Sequence, residues 1–265
     1  MATLRTGFSA LLILLLAVSA GFGADLTASL KAGKADMKSA GALAFGPDGV
    51  LFVGDSQGGA IFALDTQDRT PGKGGAVVDI KAIGDKVAGL LGTTPDQMLI
   101  NDMATNPTSK NVYLSVTRGR GLGSMPVLVR VEPDGKLSTV ALDNIKFSRV
   151  ALPNPAGAGN QRLEAITDLA FVENQVYIAG LSNEEFSSNL RAIPFPFAEA
   201  GKGSNIEIWH GSHGRFETNS PVRTFVPYKI KNEVNIVAAY TCTPLVRLPA
   251  SQLKPGAKVM GTRSE

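Results

Sequence analysis

Apolar residues recur along this chain in short runs that come in pairs, each pair broken by a polar turn. The clearest pair is Gly41-Ala-Leu-Ala-Phe-Gly-Pro-Asp-Gly-Val-Leu-Phe-Val-Gly-Asp55, and the segments Asn101 to Val116 and Thr167 to Gly180 repeat its plan. Each predicts a β-hairpin. The turns agree, because Pro47-Asp48-Gly49, Pro107-Thr108-Ser109 and Glu173-Asn174 are residue types that preset φ or tolerate left-handed backbone.

A third apolar run follows each hairpin, at Ala60 to Leu64, Val127 to Val131 and Ile206 to Trp209. Fourth runs follow at Ala76 to Ile80, Leu137 to Leu142 and Val222 to Val226, so each unit is expected to hold four strands. A fourth unit is visible in Val234 to Tyr240 and Pro244 to Leu248, with a hairpin entry near Thr224 to Ile230. Val50, Val112, Val176 and Val234 occupy matching places, at intervals of 62, 64 and 58 residues. Repetition of a four-stranded unit predicts an all-β propeller, with blades at about 40–80, 98–142, 164–226 and 227–261. A β-sandwich or irregular barrel also has many short strands, but recurrence of the whole plan favours the propeller. The period exceeds the ~40–50 residues of compact blades, which calls for insertions. Two are readable: a helix from about Lys81 to Leu91, and a Pro/Phe-rich excursion from Asn183 to Gly203. In the excursion, stiff alternating prolines hold Phe195 and Phe197 either to cover a blade or to meet a partner. Gly261 to Glu265 follows the last expected strand without a closing one, which predicts an incomplete, C-terminally truncated ring.

The first residues change the picture of where the protein works. Arg5 precedes an apolar run from Phe8 to Val18 that ends in Ser19, Ala20 and Gly21, the order of a cleaved secretory signal, expected over residues 1–23. The run is short of the ~20 residues that span a bilayer. A secreted or periplasmic domain over 24–265 is expected, with no membrane span after cleavage. The 44% apolar and 18% charged composition, with 29 Gly and 15 Pro, is that of a folded, turn-rich body. A formal charge of +3 comes from scattered basic residues and gives no nucleic-acid footprint. The lone Cys242 excludes an internal disulfide and a Cys-x-x-Cys-His haem attachment.

The Gly-Pro-Asp-Gly turn followed by Val-Leu-Phe-Val-Gly-Asp55 resembles propellers of the NHL-repeat and gluconolactonase-like (SMP-30) superfamily. The resemblance covers all the expected blades and implies architecture more than activity. It implies a range of functions: binding calcium or other divalent metals, hydrolysing lactones or esters, or only binding partners.

In such a blade, the start of the first strand and the end of the second emerge on one rim. That rim is expected to hold Asp55 and Ser56; Asn101, Asp102, Thr117 and Arg118; Thr167, Asp168, Ser182, Asn183 and Glu184; and Tyr240, Thr241 and Cys242, with Glu164 just upstream. Carboxylates are hard ligands, so Asp102, Asp168 and Glu184 are candidates to hold Ca²⁺ or Mg²⁺, where the metal would polarise a carbonyl. The plainer expectation for Asp102 and Asp168 is that they accept backbone N–H bonds at equivalent strand starts. Asp55 is open between rim ligand and turn former. Arg118 and Arg120 sit in a Gly-rich loop that could meet an anion. Cys242 has no neighbouring His to activate it, which favours a buried apolar role over a nucleophile. His210 and His213 belong to a hairpin turn on the opposite face, which favours solvated residues over a metal pair. Two functions follow: an exported propeller that binds a small molecule or protein at its channel mouth, or a metal-dependent hydrolase or lactonase. A third, partnership with a quinone- or haem-dependent oxidoreductase, has no attachment signal behind it.

Overall fold

The computed structural model describes residues 26–72, 79–157, 159–183, 188–210, 214–217, 220–240 and 245–263. They form a nearly all-β body of four antiparallel sheets that meet through their inner strands, a propeller-type arrangement.

Sheet one runs outward through Leu43–Phe45, Val50–Asp55, Ala60–Asp65 and Ile145–Ala151, with Lys31–Gly33 on its outer edge. Sheet two is Met98–Thr105, Val112–Arg118, Met125–Val131 and Leu137–Thr139. Sheet three is Asp168–Val172, Gln175–Leu181, Ser188–Pro194, Ser204–His210 and Arg215–Glu217, with Lys258–Met260 added in parallel to its fourth strand. Sheet four is Val222–Ile230, Glu233–Tyr240, Val246–Pro249 and Thr262–Arg263.

All three expected hairpins form, and Val50, Val112, Val176 and Val234 each sit at the start of a second strand. The turns use the chemistry read from the sequence. Asp48 and Gly49 take φ of 57° and 71°, and the Glu173-Asn174 pair takes 49° and 58°, the double left-handed conformation whose twist suits a two-residue hairpin.

The outer strands differ from expectation in three places. Sheet one draws its fourth strand from Ile145–Ala151, not from Ala76 to Ile80, of which 76–78 lie outside the described residues. Sheet two is therefore inserted between the third and fourth strands of sheet one. Within the excursion from Asn183 to Gly203, Ser188–Pro194 is the third strand of sheet three, which makes Ile206 to Trp209 part of the fourth. Val222 to Val226 is not the last strand of sheet three but the beginning of the inner strand of sheet four. The first difference joins residues distant in sequence, Ala60 with Ala151, which periodicity does not register, whereas the other two are antiparallel pairings of consecutive strands. Helix α1 (Ile83–Leu90) lies within its expected span and buries Val87 and Ala88 against sheet two.

The inner strands pack in the spatial order two, one, three, four. Burial follows from that order. Sheet one has neighbours on both faces, and its Val-Leu-Phe-Val-Gly-Asp and Ala-Ile-Phe-Ala-Leu-Asp strands are buried throughout. Sheet two stands at one end, so Met98–Thr105 alternates after Met98 between exposed and half-buried residues. Sheets one and three are joined by rings: Phe52 stacks on Phe171 at 5.3 Å and meets Phe195 edge-on at 5.0 Å. Phe195 is buried in this seam and Phe197 packs beside it, so the Pro/Phe segment covers the core.

Candidate functional site

Inner strands that converge at one end leave a gap there, because four twisted sheets cannot meet at a point. The gap is a cleft of about 750 Å³, walled by residues of all four sheets. Sheet one and its loops supply Ser39 to Ala42 with Ser56 and Gln57. Sheet two supplies Leu99, Asn101, Asp102 and Thr117. Leu163, Glu164, Thr167 and Asp168 come from sheet three and its approach, and Arg223 and Thr224 from sheet four.

Two of these walls are held by the same device. Asp102 Oδ2 accepts the Leu43 N–H of sheet one at 2.8 Å, and its Oδ1 accepts the Met103 N–H at 2.7 Å. Asp168 Oδ2 accepts the Phe225 N–H of sheet four at 2.7 Å and the Thr224 hydroxyl at 2.8 Å, while its Oδ1 accepts the Leu169 N–H at 2.8 Å. Asp102 lies in the middle of its inner strand and Asp168 opens its own, and both clasp the neighbouring inner strand through a backbone amide. Hydroxyls reinforce each clasp: Ser115 donates to the Gly41 carbonyl at 2.6 Å and Thr167 to the Val222 carbonyl at 2.5 Å. At that place sheet one carries Ala42, so the seam between sheets one and three is held by a shared apolar core that includes the Phe rings, and by Ser56, whose hydroxyl reaches the Ile166 carbonyl at 3.1 Å.

Burial raises the Asp168 carboxyl above its ordinary value, the three N–H and O–H donors pull it back, and the Asp102 charge adds to the rise. A raised carboxyl favours the protonated folded state. Its contribution is full below the unfolded value and is lost as pH rises through the folded one. The substitution Asp168→Asn removes this dependence. Relative to the parent, the variant is expected to gain stability on going from about pH 3.5 to about pH 7, as read from urea melts at both; an unchanged difference counts against the assignment.

The other expected rim residues are distributed differently. Asp55 is 1% exposed and stands behind the cleft. Its Oδ2 accepts Lys38 N–H, and its Oδ1 accepts Ser39 N–H, Ser39 Oγ–H and Gly58 N–H, all at 2.8 Å. It is a former of the loop that carries Ser39 to Ala42. Asn101 lines the cleft and donates to the Ala40 carbonyl and the Thr117 hydroxyl. Arg118 ends the second strand of sheet two outside the cleft lining, and its Nε is buried without a partner among the described residues. Asn183 follows the isolated bridge between Pro155 and Ser182, and its N–H reaches the Asn154 carbonyl. Glu184, Thr241, Cys242 and His213 lie outside the described residues.

The cleft also holds Glu164, expected just upstream of the rim, and two residues of sheet four that strand patterning missed, Arg223 and Thr224. Glu164 pairs with Arg223 across sheets three and four at 2.6 Å. Arg223 and Thr224 were placed on an outer strand; counting back from Val234 as from Val112 to Asp102 would have put Thr224 on the rim. Among the described residues, no three His, Cys, Asp or Glu side chains come together as a metal-binding group. No helix among them is long and apolar enough to cross a membrane.

No protein-family model and no curated protein matches the chain. Among solved structures, it is similar to one from Thermus thermophilus described as an oxidoreductase (glucose dehydrogenase), at 14% identity over 89% of this chain and 68% of the other, with a TM-score of 0.27. It is also similar to a streptogramin B lyase, at 12% identity over 89% and 88% of the two chains, with a TM-score of 0.23.

Proposed function

We propose that this chain is an exported propeller-type binding protein that recognises a small molecule in the four-sheet cleft. The observation that carries the reading is the cleft itself. Its volume of about 750 Å³ falls in the ~300–1,000 Å³ range of small-molecule sites, and polar groups from four sheets converge on it around two exposed leucines. Export is supported by the charged, apolar and small-residue order from Arg5 to Gly21.

Asp102 and Asp168 each clasp a neighbouring strand, a role that accounts for both carboxylates without a metal. The metal-dependent hydrolase needs both to take up Ca²⁺ or Mg²⁺ as well, with Glu184 as third ligand.

Thermal melts against a panel of small metabolites test the proposal. A ligand at a hundredfold excess over its Kd stabilises by ~2.7 kcal/mol. Leu163, 56% exposed in the cleft wall, is the place to block it. Leu163→Trp is expected to abolish the shift while leaving the ligand-free melt within about 0.5 kcal/mol of the parent. A ligand that stabilises parent and variant equally places recognition elsewhere. Ca²⁺-dependent stabilisation removed by Asp102→Asn would favour the hydrolase instead.

A further inference from the structure

We infer that the cleft takes an organic cation with an apolar body, a protonated amine on a hydrocarbon frame; this rests on the cleft being the recognition site. The chain as a whole carries a formal charge of +3, yet the described cleft wall reverses that sign. It holds Asp102, Glu164 and Asp168 against Arg223 alone, three carboxylates to one guanidinium. Glu164 and Arg223 neutralise each other at 2.6 Å. That leaves Asp102 and Asp168, from different sheets, as the charge a ligand meets. Their partners at the clasps are amides and a hydroxyl, none of them cationic. Each carboxylate oxygen can accept more than one hydrogen bond, so an ammonium can be added without undoing the clasps. An anion would be repelled by both acids.

Leucines in the same wall define the rest of the ligand. Leu99 is 62% exposed and Leu163 56% exposed, from sheet two and from the approach to sheet three. Each leaves apolar surface in water that a hydrocarbon frame would cover, at ~25 cal/mol per Å². A bare inorganic cation would leave both leucines wet, and a neutral apolar molecule would bring no charge to either carboxylate. An amine on a hydrocarbon frame answers both at once.

The matched probes n-hexylammonium, hexan-1-ol and hexanoate separate charge from shape, with dissociation constants read by ligand-observed NMR on the full chain. Hexylammonium is expected to bind at least tenfold tighter than hexanol, with hexanoate not binding. Glu164→Gln removes one carboxylate from the cleft wall, the one paired with Arg223, and should lower that preference at least threefold. Asp168→Asn should remove most of it, and should the variant not fold, Glu164→Gln carries the test alone. Equal affinity for hexanol and hexylammonium, both lost in Leu163→Trp, would overturn the cation and leave the site standing. Hexylammonium binding that survives Leu163→Trp would overturn the site as well. Absence of binding by all three probes overturns the inference.

Discussion

Phe52→Ala is expected to lower the unfolding free energy by about 3–5 kcal/mol, the usual cost of deleting a buried aromatic ring. The side chain is fully buried in the second strand of sheet one. It holds rings from two other segments, stacking on Phe171 and meeting Phe195 and Phe197 edge-on. The loss exceeds that of an ordinary core residue for a topological reason. The seams from sheet two to one and from sheet three to four carry a carboxylate clasp, whereas the seam from one to three has Ala42 at that place. That seam is instead held by an apolar core in which Phe52 lies among Ile61 and Val150 of sheet one and Leu169, Ile178 and Ile193 of sheet three. Chemical denaturation gives the number. The slope against denaturant is a second readout, since loosening this seam should let the two pairs unfold less cooperatively and lower the apparent m-value. A cost below about 1 kcal/mol with an unchanged slope would show that the Phe cluster does not join the pairs.

Asp55→Ala is expected to cost at least about 3 kcal/mol, because three backbone N–H groups and one hydroxyl lose their acceptor where water has little access. The damage is local. Lys38 and Ser39 lead directly into Ala40 to Ala42, a wall of the cleft, so ligand affinity should fall with stability. Asp55→Asn separates the two. Its amide oxygen can keep the Ser39 and Gly58 donors, while its amide nitrogen faces the Lys38 N–H, so about half of the loss should return. Hydrogen exchange should show faster amides at Lys38, Ser39 and Gly58 in the alanine variant and at Lys38 alone in the asparagine variant. Equal exchange in parent and both variants would deny Asp55 this role.

The two acids Asp102 and Asp168 show how far the pattern of a single chain reaches. Their equivalent places could be read by aligning the hairpins, and a carboxylate on an inner strand has a chemical use for nearby N–H groups. Which N–H groups it meets could not be read. Leu43 lies 59 residues before Asp102, and Phe225 lies 57 residues after Asp168. Glu164 and Arg223, also 59 residues apart, pair for the same reason. Residues so far apart share no local period, so only the docking of sheets brings them together.

The alternation of apolar and polar positions determined the hairpins, their left-handed turns, helix α1 and the four matching valines, because each depends on residues a few positions apart. Continuous apolar runs at Val50 to Val53 and Ala60 to Leu64 form strands that the neighbouring sheets bury throughout. Tertiary structure alone decided that sheet two is inserted into sheet one, that Ile145–Ala151 supplies sheet one's fourth strand, and that the sheets stand in the order two, one, three, four. It also decided that Arg223 and Thr224 join the cleft and that Asp55 and Arg118 lie outside its lining. Strand pairing is made between backbones, whose hydrogen-bonding groups are the same at every residue except proline, so the side-chain pattern says that a strand forms and leaves its partner to the packing of the whole.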